Sequence, residues 1–288
     1  MPLGATGQPD ERWTTVIDAR DRWWRIDVRE LIRYRDLIGL FVRRDFITQY
    51  KQTVLGPIWF VLQPLLSTFT FLVVFGKIAK IPTDGVPQPL FYMGCLLFWN
   101  FFSTTVTQTS IVLTTNANLF SKVYFPRLAI PIAQTIAGLG RFAVQLALFF
   151  AFFVYFLLHG MPSSLGPSLA AVLVILLQFI VLSLGVGLII SALTTRYRDL
   201  QIGLSFGMQL WMYATPIVYP LSMVPEKWRF VYALNPVVPP LEVCKHVFFG
   251  TALPTAEEYL VSVASAVACL FLGLALFNKV QKTFIDTV

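Results

Sequence analysis

The sequence predicts an all-α membrane protein that crosses the bilayer six times. An amphipathic helix precedes the first span, and a re-entrant hairpin joins the fifth to the sixth. Three observations predict it. Hydrophobic residues make up 56% of the 288 and charged residues only 13%, about half the charged share that covers a soluble domain. Stretches free of Asp, Glu, Lys and Arg recur at about the 20-residue length that crosses hydrocarbon as a helix. Lys and Arg gather in alternate connections between those stretches.

The first span has its heart at Ile58 to Phe75, between Lys51 and Lys77, and the second runs from Leu90 to Leu113. The apolar run from Phe142 to Thr195 must hold two crossings, because the turn residues His159-Gly160-Met161-Pro162-Ser163-Ser164-Leu165-Gly166-Pro167 punctuate it. The first of these, span three, can start as early as Ile130, which places Arg141 inside it. Span five covers Ile202 to Tyr219 and span six Tyr259 to Phe277. Six crossings put both termini on one side. That side carries sixteen Lys and Arg against five on the other, so both termini are expected in the cytoplasm and the chain in the cytoplasmic membrane. The first 50 residues are polar and show no short apolar core with a small-residue cleavage site, so no secretory signal is read there.

Three regions follow: a polar N-terminal extension over 1–27, an interface helix over 28–52, and a six-span transmembrane domain over 53–288. In the second, helical spacing sets Val28, Leu31, Ile32, Ile38, Val42, Phe46 and Tyr50 on one face and Arg29, Arg33, Asp36, Arg43 and Arg44 on the other, with Leu37, Leu40, Phe41 and Ile47 blurring the division. Such a helix either lies in the membrane interface with its arginines toward phosphates or packs on protein in the cytosol. The segment from Pro220 to Glu258 breaks apolar pieces with Pro225, Pro236, Pro239 and Pro240. It reads either as a hairpin dipping back into the outer leaflet, where protein or a water-filled cavity must cover it, or as an amphipathic loop on the surface.

The chemistry of catalysis is missing from this pattern. Eight of the fifteen acidic residues lie in the first 45 positions. The others are single except Glu257-Glu258, and neither His159 nor His246 sits among carboxylates, so no metal site is read. Cys95, Cys244 and Cys269 are too scattered for a metal cage or a disulfide framework. The net charge of +7 is spread along the membrane-facing connections, which points to anionic lipids and a protein partner rather than nucleic acid. The only Gly-Lys pair, Gly76-Lys77, lacks the glycine spacing and the Ser or Thr of a phosphate-binding loop. No cofactor is therefore expected in this chain, and if ATP drives it, another subunit binds the ATP. Arg141 is the one ionisable residue at membrane depth; it either lines a path or snorkels to head groups.

Two inward connections stand out. Asn116 to Pro131 contains Leu119, Phe120, Lys122, Tyr124, Phe125 and Arg127 around one amphipathic turn of helix. Its apolar side chains are costly to leave in water, which implies a docking partner. Arg196-Tyr197-Arg198-Asp199 joins spans four and five tightly, either as a contact or as simple positive anchoring.

At these residues the sequence resembles the ABC-2 permeases that export O-antigen, capsular polysaccharide and teichoic acid. The first connection, realised as Asn116, Leu119, Lys122, Phe125, Pro126, Arg127 and Pro131, is similar to the family's first cytoplasmic loop, and Arg196 to Asp199 to its second. Thr53-Val54-Leu55-Gly56-Pro57-Ile58-Trp59 with Gln63-Pro64 resembles its approach to span one. Thr215-Pro216-Ile217-Val218-Tyr219 and Asn235-Pro236 resemble its span-five end and hairpin. The likeness covers about residues 30 to 285 and does not separate cargoes. It implies a homodimer above two copies of a nucleotide-binding ATPase subunit that holds ATP and Mg. By the same resemblance, Leu119 to Arg127 form a coupling helix in an ATPase cleft, Arg196 to Asp199 a second contact, and the interface helix touches the ATPase too. The implied cargo is a polysaccharide on a polyprenyl-pyrophosphate carrier, O-antigen first, with capsule, teichoic acid, or a small lipid or drug as alternatives. A membrane-embedded glycan-modifying transferase is the reading from another class.

Aromatic faces suit a sliding sugar polymer, and Trp59, Phe98, Trp99, Phe101, Phe102, Trp211 and Tyr213, with Arg141, are the channel or gate candidates. Packing and interfacial anchoring are the alternative for each aromatic. Arg33, Arg43 and Arg44 suit a pyrophosphate or lipid phosphate. Gly203 and Gly207 permit close approach of span five to a neighbour.

Overall fold

The computed structural model describes residues 28–48, 51, 53–120, 122–161, 169–197 and 199–284, and all regular structure among them is helical. Helices α1 (Val28–Arg33) and α2 (Arg35–Thr48) occupy the place of the single helix expected over 28–52. The break falls at Tyr34, whose N–H and C=O still bond to Glu30 and Ile38. The 1–27 extension and Tyr50 lie outside the described residues.

The chain then enters α3 (Trp59–Phe71) through a tight turn at Gly56–Ile58, with Gly56 at φ +54° and Pro57 fixing the next φ. A wide π-helical stretch, Leu72–Ile78, extends α3. Helix α4 (Gln88–Ser110) is followed by two one-turn pieces, α5 (Val112–Thr115) and α6 (Ala117–Phe120). Then come α7 (Ala129–Leu158), α8 (Leu169–Thr194) and α9 (Leu200–Tyr213). Helices α10 (Glu226–Leu234) and α11 (Val238–Phe249) fall in the stretch expected as a hairpin, and α12 (Ala256–Phe284) follows. Gly250, at φ +70°, supplies the left-handed cap of α11.

Among the described residues, five segments are long and apolar enough to cross a membrane: 56–78, 88–110, 129–158, 170–194 and 256–281. The expected fifth span is instead the 14-residue α9, about 21 Å at 1.5 Å per residue, against about 30 Å of hydrocarbon. Its apolar run continues to Tyr219, but Pro216 has no N–H to donate and disfavours helical backbone at Thr215. The chain turns there, with Ala214 and Thr215 closing back on Leu210 and Met212.

Helix α4 is the central post. Leu90 to Trp99, Phe101 and Phe102 are all buried, packed by α3, α7, α8, α9 and α11. The closest seam runs between α8 and α12. A Cβ at Gly185 would lie 2.5 Å from the Leu270 nitrogen, and one at Gly273 would lie 2.5 Å from the Gly185 carbonyl oxygen. Only glycine admits such backbone approach, the usual device where lipid offers no hydrophobic drive to association. Gly203 and Gly207 differ: among the described residues, no neighbour outside their own helix backbone comes within 4 Å of either added Cβ.

One end of the bundle gathers α2, the 111–128 connection, the turn at 195–199 and the last turns of α12. We refer to it as the termini end. The other, the hairpin end, gathers the 79–87 turn, α10 and α11.

Candidate functional site

At the termini end, helix α2 packs along α7 and drops Phe41 into an apolar cluster with Val112, Leu113, Phe120, Phe125, Leu128, Leu188 and Phe277. The ring centroids of Phe41 and Phe120 lie 5.6 and 5.5 Å from that of Phe125. The face of α2 that meets protein is thus centred on Phe41, which the sequence pattern left undecided, and Ile32 and Leu40 stay exposed. Arg33, Arg43 and Arg44 are exposed as well. Arg44 pairs with Asp45 at 2.8 Å and lies 4.8 Å above the Phe41 ring.

This cluster corrects the solvent-exposure argument for the first connection. Phe120 and Phe125 are 8% and 5% exposed because the chain itself covers them, and the helical part ends at Phe120 rather than running to Arg127. What projects is Lys122, Val123 and Tyr124, the last 59% exposed. Leu119 is half-buried against the cluster. Arg127 turns inward too: its guanidinium donates to the Gln281 carbonyl near the end of α12 and lies 5.5 Å over the Phe120 ring.

The second connection stands beside the first. Thr194 Oγ1 donates to the Ser110 carbonyl at 2.7 Å, and Gln201 Nε2 to Thr114 Oγ1 at 3.3 Å. Arg196, Tyr197 and Asp199 are exposed, with the Arg196 guanidinium 5.5 Å over the Tyr197 ring. Arg198 lies outside the described residues.

A cleft of about 460 Å³ opens between α3, α4 and α7. Gln63, Ser67, Asn100, Thr104, Gln108 and Gln145 give it polar walls, Trp59 stands at its rim in the first turn of α3, and Arg141 is its one charged lining residue. Arg141 Nη2 donates to Gln108 Oε1 at 3.2 Å. Sequence reasoning picked out Arg141 and Trp59 but missed the polar stripe of α4; the four-residue spacing of Asn100, Thr104 and Gln108 was the available signal.

The remaining channel candidates separate. Phe98, Trp99 and Phe102 are 0%, 4% and 0% exposed, closed among Phe142, Phe179 and Trp211. These three rings have no face to present to a passage, whereas Phe101, packed on Phe142, also lines the cleft. Tyr213 is exposed, and Trp211 is half-buried, donating through Nε1 to Asn235 Oδ1 at 3.0 Å. That bond belongs to a polar clasp at the hairpin end, in which Asn235 Nδ2 reaches Thr215 Oγ1 (3.1 Å) and Lys245 Nζ reaches the Pro216 carbonyl (2.7 Å) and Glu242 (2.8 Å). Two of the motifs singled out in the sequence, Thr215-Pro216 and Asn235-Pro236, meet there. Lys245, read from sequence as an outward loop charge, is 3% exposed. Among the described residues no three His, Cys, Asp or Glu side chains come together as a metal cage.

With this geometry in hand, the chain compares with known proteins as follows. Residues 36–249 match the family described as ABC-2 type transporter. The chain is 29% identical over 266 residues to an O-antigen export system permease protein RfbA of Myxococcus xanthus, covering 91% of this chain and 98% of that one. A protein of the same description from Klebsiella pneumoniae is 27% identical, with 87% and 94% covered. The polysialic acid transport protein KpsM of Escherichia coli is 23% identical, with 86% and 95% covered.

Proposed function

The chain belongs to the ABC-2 type transporter family, and we propose that it is the membrane permease of an ATP-driven exporter that moves a lipid-linked polysaccharide, O-antigen in the first place, across the cytoplasmic membrane. The observation that carries this is likeness along nearly the whole length to permeases described as O-antigen exporters. Capsular polysaccharide is the second cargo, favoured by weaker likeness of the same extent to capsule and polysialic acid transport proteins.

In this reading two copies of the chain pair, and the fifth of six crossings is α9 with the turn that follows it. Both termini face the cytoplasm, and α1 and α2 lie along the inner interface. The hairpin of α10 and α11 dips into the outer leaflet. The chain itself catalyses nothing; a separate ATPase pair binds ATP and Mg and meets the termini end. The contact is made by Lys122, Val123, Tyr124, Arg196, Tyr197 and Asp199, which project, while Phe120, Phe125 and Arg127 hold that knob from behind. A rigid backing is what transmits force, because packed interiors yield little.

The test is depletion of the chain from cells that make it. Surface polysaccharide is expected to vanish while lipid-linked glycan accumulates on the inner face, and the wild-type chain restores both. Normal surface glycan in depleted cells overturns the exporter reading, and ATP hydrolysis by the purified chain alone overturns the separate motor.

A further inference from the structure

We propose that the cleft around Arg141 is a binding site for the phosphate-bearing head group of a membrane amphiphile. The argument starts from cost. A guanidinium within a spanning helix is costly unless it is paired, and Arg141 lies 12 residues into the 30-residue α7. Among the described residues its one side-chain hydrogen bond goes to Gln108, although a guanidinium offers five N–H donors in a planar fork. Asp45 lies close enough to act on Arg141 electrostatically, yet it is outside the cleft lining and is held by Arg44 at 2.8 Å. The lining therefore carries one positive charge and no carboxylate, with amide and hydroxyl groups along all three walls.

A second observation points the same way. Thr105, 1% exposed, lines the cleft, and its Oγ1 has no hydrogen-bond partner among the described residues. A buried hydroxyl without a partner is costly. Gly138 leaves the space where it and the arginine converge: a Cβ there would stand 3.6 Å from Thr105 Oγ1 and 3.7 Å from Arg141 Nη2. Guanidinium and hydroxyl donors converging in a pocket walled by amides match a phosphate or pyrophosphate, which the arginine fork binds bidentately. The cleft spans the first turns of α3, from Trp59 to Ser67, so it opens near the termini end, level with α2, where Phe46 packs against Phe60. A head group at that depth has its acyl or prenyl chain beside the apolar outer face of α3, where Leu66 and Phe69 are exposed.

Two sources share this chemistry: the pyrophosphate of a lipid-linked glycan and the phosphate of a bulk phospholipid. Only the first rests on the exporter reading, and the site is tested without export. The full chain in phosphatidylcholine nanodiscs is titrated with farnesyl diphosphate, with phosphatidylglycerol and with uncharged farnesol. Arg141→Gln is expected to weaken the responding phosphate probe by about tenfold or more, as loss of hydrogen bonds to a charged group implies. Arg141→Lys falls in between, and Thr105→Val costs a few-fold. Response to farnesyl diphosphate identifies the polyprenyl source, and the same Arg141 dependence with phosphatidylglycerol identifies the bilayer source; either supports the site. Equal binding by wild type and Arg141→Gln, farnesol binding as well as its diphosphate, or no binding of either phosphate probe overturns it. Should Arg141→Gln fail to fold, Ser67→Cys in a Cys269→Ala background reports instead. A charged thiosulfonate must label it several-fold more slowly with the phosphate probe present, and unchanged labelling rejects the site. Loss of export on depletion together with absent probe binding leaves the exporter reading standing and removes only this site.

Discussion

Replacing Gly185 with alanine tests the α8–α12 seam directly. The added methyl would sit 2.5 Å from the Leu270 nitrogen and 2.6 Å from the Cys269 carbonyl carbon, where ordinary contact begins at 3.4 Å. Both obstacles are backbone, so no side chain can swing aside and the two helices must part by about 1 Å. Overpacking of this kind costs about 1–3 kcal/mol, and the gain in helix propensity from glycine to alanine returns about 1 kcal/mol. A rigid obstacle puts the penalty at its upper end, leaving a net loss of about 2 kcal/mol. For a chain of this size that corresponds to a fall of about 4–8 °C in Tm. The assay is loss of monodisperse protein after stepwise heating in detergent, followed by fluorescence-detected gel filtration. Gly39→Ala is the control, because among the described residues no neighbour outside its own helix backbone lies within 4 Å of its added Cβ, and its Tm is expected to hold or rise. Gly185→Ala combined with Gly273→Ala should cost less than the sum, since the first methyl has already opened the gap for the second. A Gly185→Ala protein that melts within about 1 °C of wild type refutes the reasoning.

Further substitutions separate roles that the sequence runs together. Tyr124→Asp, on the exposed tip, should leave thermal stability intact and reduce ATP-coupled export, whereas Phe125→Asp should lower the yield of folded protein. The latter removes a buried ring worth about 3–5 kcal/mol and buries a charge; equal melting temperatures for the two variants contradict the described packing. Arg127→Gln should raise hydrogen exchange in the last turns of α12, which lose their tie to the first connection; unchanged exchange there shows that the tie is idle. Glu242→Gln strands Lys245 as a buried cation and should destabilise by about 3–5 kcal/mol, while Glu242→Leu with Lys245→Met recovers most of that loss. Failure of the double variant to recover stability shows that the pair does more than neutralise itself.

Much of the span architecture could be read because lipid allows so few backbone solutions. The apolar runs at Ile58 to Phe75, Leu90 to Leu113 and Tyr259 to Phe277 correspond to helices that differ mainly at their ends. The run from Phe142 to Thr195 holds two helices, the first ending at Leu158 and the second starting at Leu169, while residues 162–168 of the expected turn lie outside the described residues. The fifth span was overextended because hydropathy continues through Ile217, Val218 and Tyr219 while Pro216 ends the regular backbone, and the proline was the better guide. Burial by neighbours distant in sequence was not legible. Phe120 and Phe125 look costly to expose, yet nothing local says that Phe41 and Phe277 cover them. Glu242 and Lys245 carry the three-residue spacing of a helical ion pair, but only the fold shows that the pair is sealed beneath Pro216. The cleft escaped notice because its polar side chains come from three helices, and each alone reads as tolerated polarity in a span.

The apolar cluster under Tyr124 draws one residue or more from α2, from the first connection, from α8 and from α12. A shove delivered at that single tip is therefore shared at once among segments lying far apart along the chain. The base of the protein is knit as one paving slab rather than as loose tiles, so in the proposed exporter a motor would need only a small footprint to tilt the columns above.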